Sequence, residues 1–434
     1  MAGEWSTAAL EELVDDILDR RGVTPLKLGS DFTSAGHRVI SAKLMKESRL
    51  DLSADEPRFV DAPTYKKWMQ SPLLADDVIL TSEAPLGEIA YIKEKLDWCL
   101  GQRLFGIRTN KSKLFGRFLF YALKSEPVFN DLTSRATGTT VQGIRQSELR
   151  RVQIPVPPLA KQKAIATVLG ALDDKIELNR QMNATLEAMA QALFKSWFVE
   201  FDPVRAKLDG RKPEGFNEDT AALFPDCFQD SALGENPNGW RLGTLGELVQ
   251  LRTDRVEATP AKDGMRYIAL EDMPSKSIDL SNYQLGSAVN SSITAFRRGD
   301  ILFGSMRPYF HKVGLAFFDG ITRTTTFVLR PRKDCFRHFA LLHFFSNDVI
   351  AHSTTASVGT TIPYVRWDSM ESYCVPIPPD SLLEVFEKAV SPLFQRIAIQ
   401  GEESRTLATL RDTLLPKLLS GELGVDKIKE GLVA

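Results

Sequence analysis

Cysteine is scarce: Cys99, Cys227, Cys335 and Cys374 are the only four in 434 residues, and no two stand in C-x-x-C spacing. That pattern excludes a disulfide framework and a zinc ribbon, and leaves thiols that read as small buried hydrophobes. Long apolar runs are also missing. The longest candidate, His338 to Phe345, covers eight residues with two histidines among them, against the roughly 18 residues of a membrane span. Met1 to Trp5 lacks a basic stretch leading into an apolar run, so a cytoplasmic address with no membrane partner is expected. Neither sign of charge dominates: 54 Lys plus Arg stand against 56 Asp plus Glu, a net of -2 that on its own argues against a nucleic-acid partner.

Signatures of chemistry are absent in the same way. No G-x-x-x-x-G-K-[ST] cradles a triphosphate, and no G-x-G-x-x-G opens a dinucleotide fold. None of the five histidines sits in H-E-x-x-H, and the spacing of His338 and His343 is poor for two ligands on one helical face, so no metal site is assigned. A DNA amino-methyltransferase needs Asp or Asn, two prolines and an aromatic; Asn236-Pro237-Asn238-Gly239 lacks the second proline and the aromatic. A nuclease needs clustered acids with a lysine, and Pro225-Asp226 has no such partners. No catalytic residue is assigned and no cofactor is expected on this chain.

What the chain does have is a repeat. Gly138-Thr139-Thr140-Val141 returns 221 residues later as Gly359-Thr360-Thr361-Ile362, Ile144-Arg145 as Val365-Arg366, and Ile154-Pro155-Val156-Pro157-Pro158 as Val375-Pro376-Ile377-Pro378-Pro379, with seven identities and no gap. After each Pro-Pro a long stretch follows with apolar residues at helical spacing, from Leu159 to about Phe201 and from about Ser381 to Leu419. Steps of four and three trace a seam through Ile165, Leu169, Leu172, Ile176, Asn179, Asn183, Leu186, Ala190, Leu193 and Trp197. The same steps in the second stretch give Phe386, Val390, Leu393, Ile397, Gln400, Ser404, Leu407, Arg411, Leu414 and Leu418. A period of 3.5 held this long indicates a coiled-coil seam. Antiparallel pairing about the polar centre sets Asn179 against Ser404 and Asn183 against Gln400, with Leu172 against Arg411 as the weak layer.

The regions before these helices read as mixed α and β. Leu10, Leu13, Val14, Ile17 and Leu18 fit a helix behind a Ser6 cap. Val78–Leu80, Ile89–Ile92, Ile301–Phe303 and Thr325–Leu329 fit strands. Asp202 to Gly239, rich in Pro, Gly, Asn and acids, reads as an extended connector. The expected class is therefore α+β. Two repeated globular regions, residues 1–158 and 202–379 with the connector, alternate with two long antiparallel coiled-coil helices, one at 159–201 and one at 380–434 with the C-terminal tail.

The near-zero charge hides an uneven distribution. Residues 1–100 carry a balance of -6 and residues 101–151 one of +7; residues 201–250 carry -4 and residues 297–337 carry +6. Each basic block precedes a Gly-Thr-Thr turn. Each reads as a solvated face or as a surface that neutralises phosphates by counterion release.

In the sequence Pro155-Val156-Pro157-Pro158-Leu159-Ala160-Lys161-Gln162, in Ala192-Leu193-Phe194-Lys195-Ser196-Trp197-Phe198-Val199-Glu200-Phe201-Asp202-Pro203-Val204 and in the stretch from Phe224-Pro225-Asp226 to Gly239-Trp240, the chain resembles the specificity subunits of type I restriction-modification systems over nearly its whole length. It departs from them at Asp380-Ser381-Leu382-Leu383-Glu384, where the family often repeats a Leu-x-x-Gln start to the helix.

The resemblance implies two target-recognition domains, each reading half of a bipartite double-stranded DNA site. It further implies helices that set the spacing and dock two methyltransferase subunits, and two restriction subunits in the full complex. S-adenosylmethionine, ATP and Mg²⁺ then belong to those partners. A helix from Ile165 to Trp197 is about 48 Å long, near 14 base pairs. The expected DNA contacts are Arg103, Arg108, Lys111, Arg117, Arg135, Thr139, Thr140 and Arg145 in the first domain. In the second they are Arg297, Arg298, Arg307, Tyr309, Arg323, Arg332, Thr360, Thr361 and Arg366. Two other classes stay open on the residues alone: a self-contained DNA-modifying enzyme, and a coiled-coil adaptor that binds only proteins.

Overall fold

A computed structural model of the chain describes residues 5–52, 54–256, 264–286 and 293–425. The chain divides into two compact units, Met1–Asp174 with Leu407–Ala434, and Lys175–Thr406. Both boundaries fall inside long helices, Leu159–Phe198 and Asp380–Leu419, each of 40 residues and each bound offset by the 221 of the sequence repeat.

In the first unit a four-stranded antiparallel sheet has the order Val14–Asp19, Leu104–Thr109, Val78–Thr81, Ile89–Tyr91. Val78–Thr81 is buried at every position, which suits a β-branched run covered on both faces. Helices Gly116–Lys124 and Glu126–Ser134 cover one side, and their apolar residues share a core with Ile165 and Leu169 of the first long helix and with Leu415, Leu418 and Leu419 of the second. A three-stranded sheet, Phe59–Val60, His37–Ile40 and Cys99–Leu100, closes a second core around Trp68.

The helix expected over residues 10–18 is not there. Only Leu10–Leu13 is helical, no side chain caps it, and Val14–Asp19 is a strand paired with Leu104–Thr109. Spacing of apolar residues over nine positions fits one helical turn followed by a strand as well as it fits a helix. The backbone partners offered by the sheet decide between them.

The second unit repeats the layout. Its main sheet has the order Val249–Arg252, Thr326–Pro331, Ile301–Gly304, Val313–Leu315, and helices Arg337–Phe344 and Asn347–Thr355 cover it. The stretch read as an extended connector is instead folded. It holds helices Asp202–Leu208 and Glu218–Ala222 and a hairpin of Phe228–Ser231 with Gly234–Pro237. Val204 and Phe224 from this stretch, with Phe201 and Trp240 at its two borders, are buried in the unit's core, so these aromatics outweigh its prolines and glycines.

Within the second unit the long helices pack antiparallel, as Trp197 against Phe386 (ring centroids 5.5 Å apart) and Asn179 against Ser404 define. Asn179 donates from Nδ2 to Glu403 Oε2 at 2.8 Å, Ser404 Oγ at 3.3 Å and Gln400 O at 3.4 Å. Asn183 donates to the Ile397 carbonyl at 3.3 Å and to Asp279 at 3.1 Å rather than to the Gln400 side chain. Every position of the expected seam in both helices is buried or half-buried. In the first unit Arg411 is held by Asp173 at 2.7 Å, so a carboxylate one position from Leu172 satisfies the charge at the weak layer.

The duplicated fold carries a duplicated ion pair. Arg108 grips Asp77 through two bonds of 3.0 and 2.7 Å, and Arg330 grips Asp300 through two of 2.8 Å. Both aspartates also accept a backbone N–H from three residues earlier, Leu74 and Arg297, at 2.8 Å. Each is 2% exposed, and such a pair tolerates burial because its remaining lone pairs are satisfied. Among the described residues no helix is long and apolar enough to cross a membrane.

Candidate nucleic-acid interface

The Gly-Thr-Thr segments are the tips of two equivalent loops. Thr137 and Gly143 exchange backbone bonds of 2.8 and 2.9 Å, and Val358 and Tyr364 exchange bonds of 2.9 and 3.0 Å. Each loop is then stitched to the main sheet's end, Ile144 N–H to Ser82 O and Val365 N–H to Ser305 O, both at 2.9 Å. Gly138 (φ 111°) and Gly359 (φ 92°) turn the chain where a side chain is disfavoured. At Gly138 a Cβ would lie 2.2 Å from Val141 O, and at Gly359 3.1 Å from Ile362 O. The result is an exposed tip of two hydroxyls and free backbone groups, Thr139 and Thr140 in one unit and Thr360 and Thr361 in the other.

The basic blocks do not form single faces. The strand Leu104–Thr109 separates Arg103, at the loop end, from Arg108 near its far end and from Lys111 and Arg117 beyond it. The strands Ile301–Gly304 and Thr326–Pro331 likewise separate Arg307, Tyr309 and Arg323 from Arg297, Arg298 and Arg332. At the loop ends Arg145 and Arg307 are exposed, Arg366 is exposed beside Asp368 at 3.9 Å, and Arg103 lies 3.1 Å from Glu83. Arg323 is half-buried, 5.9 Å from the centre of the Tyr267 ring.

Several expected contacts have partners within the chain or stand away from the loop. Arg108 is spent on Asp77. Arg117 donates to the Gly170 carbonyl at 3.0 Å and pairs with Asp174 at 2.8 Å, which fastens its helix to the first long helix. Arg135 pairs with Asp131 at 2.9 Å, and Arg332 donates to the Gly246 carbonyl at 2.9 Å. Lys111, Arg297 and Arg298 are exposed but stand at the end of the sheet away from the loop.

The reading of charge sums also missed part of the surface. A cleft of about 750 Å³ in the first unit is lined by Lys43, Lys46, Arg58, Phe32, Gln102 and Arg103, among others. Its lysines lie in the acidic stretch, where a sum over residues hides them; Lys46 is exposed, and Lys43 is exposed beside Asp55 at 3.5 Å. Among the described residues no group of three or more His, Cys, Asp or Glu is placed to hold a metal ion. His343, buried against Phe194 and Phe339, is pushed down to about 3 by burial and stays neutral.

Residues 60–188 match the family described as the type I restriction modification DNA specificity domain. The MjaIX type I restriction enzyme specificity subunit of Methanocaldococcus jannaschii is 27% identical over 81% of this chain and 78% of its own length. These matches make the chain similar to type I specificity subunits over most of its length. The HindI specificity subunit of Haemophilus influenzae is 25% identical, covering 78% of this chain and 84% of its own. A solved S subunit from M. genitalium shares the fold, with a TM-score of 0.54 at 17% identity over 95% of this chain and 96% of that one. The matched segment 60–188 runs through the first Gly-Thr-Thr loop and into the first long helix, so the family's shared sequence includes the loop end of the first unit.

Proposed function

We propose that the chain gives a type I restriction-modification complex its address on DNA, each unit reading one half of a split target through the loop end of its main sheet. The carrying observation is that two exposed Gly-Thr-Thr loops, closed by equivalent backbone bonds, stand beside exposed arginines in both units. Threonine hydroxyls, loop N–H groups and Arg145 or Arg366 supply phosphate donors, and neighbouring side chains meet base edges. The chain supplies recognition and not catalysis. Methyl transfer from S-adenosylmethionine falls to two methyltransferase subunits, and ATP- and Mg²⁺-dependent steps to two restriction subunits.

Docking on the long helices is supported by their exposed apolar residues. Leu178 and Met189 on the first helix, and Ile399 and Leu410 on the second, are all exposed and are related by the repeat of 221. Eleven positions are three helical turns, so each pair shares one face and fits the same partner helix twice.

Methylome sequencing of cells with and without this chain tests the reading. A split motif with a fixed gap should lose methylation when the chain is removed, and an unchanged methylome would overturn it. Methyl transfer by the purified chain with DNA, S-adenosylmethionine and Mg²⁺ alone would favour a self-contained enzyme. A complex without salt-dependent DNA affinity would favour a protein-only adaptor.

A further inference from the structure

Beside each threonine loop runs a second turn, and here the two units differ. After strand Val78–Thr81 the first unit has Ala84-Pro85-Leu86-Gly87; after strand Ile301–Gly304 the second has Arg307-Pro308-Tyr309-Phe310. The residue before proline is left-handed in both, with φ 51° at Ala84 and 48° at Arg307, and the second turn adds His311 at 54°. Left-handed residues with a Cβ are costly and persist only where neighbours hold them.

Neighbours do hold the second turn at its ends. Arg307 N–H donates to the Pro363 carbonyl of the threonine loop at 2.7 Å, the buried His311 ring meets the Phe345 carbonyl at 2.9 Å, and Lys276 N–H donates to the His311 carbonyl at 2.9 Å. The middle is left in water: Tyr309 is 49% and Phe310 44% exposed, with ring centroids 4.8 Å apart and tilted by 59°.

A strained turn, pinned at both ends, that presents two aromatic rings to solvent is not accounted for by packing within the chain. Arg307 and Arg366 stand at the same end with the hydroxyls of Thr360 and Thr361. Cations around exposed rings fit a polyanion with an apolar interior, which is a base stack between phosphate backbones. We infer that Tyr309 and Phe310 form a wedge that enters one base step of the half-site read by the second unit and partly unstacks it, while the flanking arginines hold the phosphates. The inference rests on the DNA reading above. It makes recognition in the second half depend on how easily a step opens, which favours flexible pyrimidine–purine steps. The first unit, with Ala84 and Leu86 in place of Arg307 and Tyr309, has no such pair of rings.

The test uses the full chain with its methyltransferase partner, bound to duplexes that carry 2-aminopurine at successive positions of the site. Fluorescence should rise at one step of one half-site, be lost in Tyr309→Ala and Phe310→Ala, and be largely kept in Phe310→Leu. Because both residues are about half exposed, the thermal midpoint should fall by only a few degrees. Affinity for the duplex should fall roughly ten-fold in Phe310→Ala, the order expected for one lost base–aromatic contact. Fluorescence that stays quenched at every step of a tightly bound duplex overturns the wedge and leaves the DNA reading standing. Unchanged DNA affinity in Phe310→Ala with loss of a protein partner also overturns it. No salt-dependent binding by the unaltered chain overturns the DNA reading and the wedge together.

Discussion

Glu187 is the charged residue with most at stake in the second unit. It is 4% exposed, accepts bonds from Ser277 Oγ at 2.8 Å and the Ile278 N–H at 3.1 Å, and has Asp279 close by. Burial pushes its carboxyl up to about 7 from an ordinary 4.5, against those two bonds, and burial raises Asp279 as well. Because the folded form binds the proton more tightly, the contribution of Glu187 to stability is full below about pH 4.5 and is lost as pH rises to about 7, a change on the order of 3 kcal/mol. Glu187→Gln should therefore melt close to the unaltered chain at pH 5 and several degrees above it at pH 8; an equal gap at both pH values would contradict this. The duplicated pair gives a second expectation. Asp77→Ala or Asp300→Ala leaves a half-buried guanidinium without its carboxylate and should cost about 2 kcal/mol in denaturant unfolding, whereas Arg145→Ala should leave unfolding unchanged and weaken DNA binding. An effect on stability from Arg145→Ala equal to that of Asp77→Ala would count against the division of arginines into braces and contacts.

Among elements, the two threonine loops offer an internal comparison. An added Cβ meets Val141 O at 2.2 Å in the first and Ile362 O at 3.1 Å in the second, so Gly138→Ala should open its loop more than Gly359→Ala does. Hydrogen exchange reads this directly: protection of the Thr137 and Gly143 amides should fall roughly ten-fold or more in Gly138→Ala, with a smaller loss at Val358 and Tyr364 in Gly359→Ala. Equal losses would contradict the geometry. Elements with a long, single periodicity were legible from sequence, as the two 40-residue helices and their polar centre demonstrate. Short ones were not. Leu10 to Leu18 changes from helix to strand because Leu104–Thr109 supplies a backbone partner that spacing cannot reveal. Phe201, Phe224 and Trp240 fold a stretch whose prolines and glycines suggested none. The loop tips could be read because a repeated Gly-Thr-Thr marks them, but the basic residues could not be sorted, since the partners Asp77 and Asp174 lie far from Arg108 and Arg117 in sequence.

At the scale of the whole molecule, a net charge of -2 is consistent with a DNA-addressing role because cations are placed by fold and not by composition. The basic blocks of +7 and +6 are divided by strands between braces such as Arg117 and exposed groups at the loop ends. Such a chain should bind DNA weakly alone, with partners supplying the rest of the contact. The central claim is that each unit reads its own half of one split site. It is tested most directly by replacing residues 10–149 with the matching stretch of the Haemophilus influenzae relative and sequencing the methylome. One half of the methylated motif should change while the other half and the gap between them stay as they were. A change in both halves, or in neither while the exchanged chain is folded and active, would contradict it.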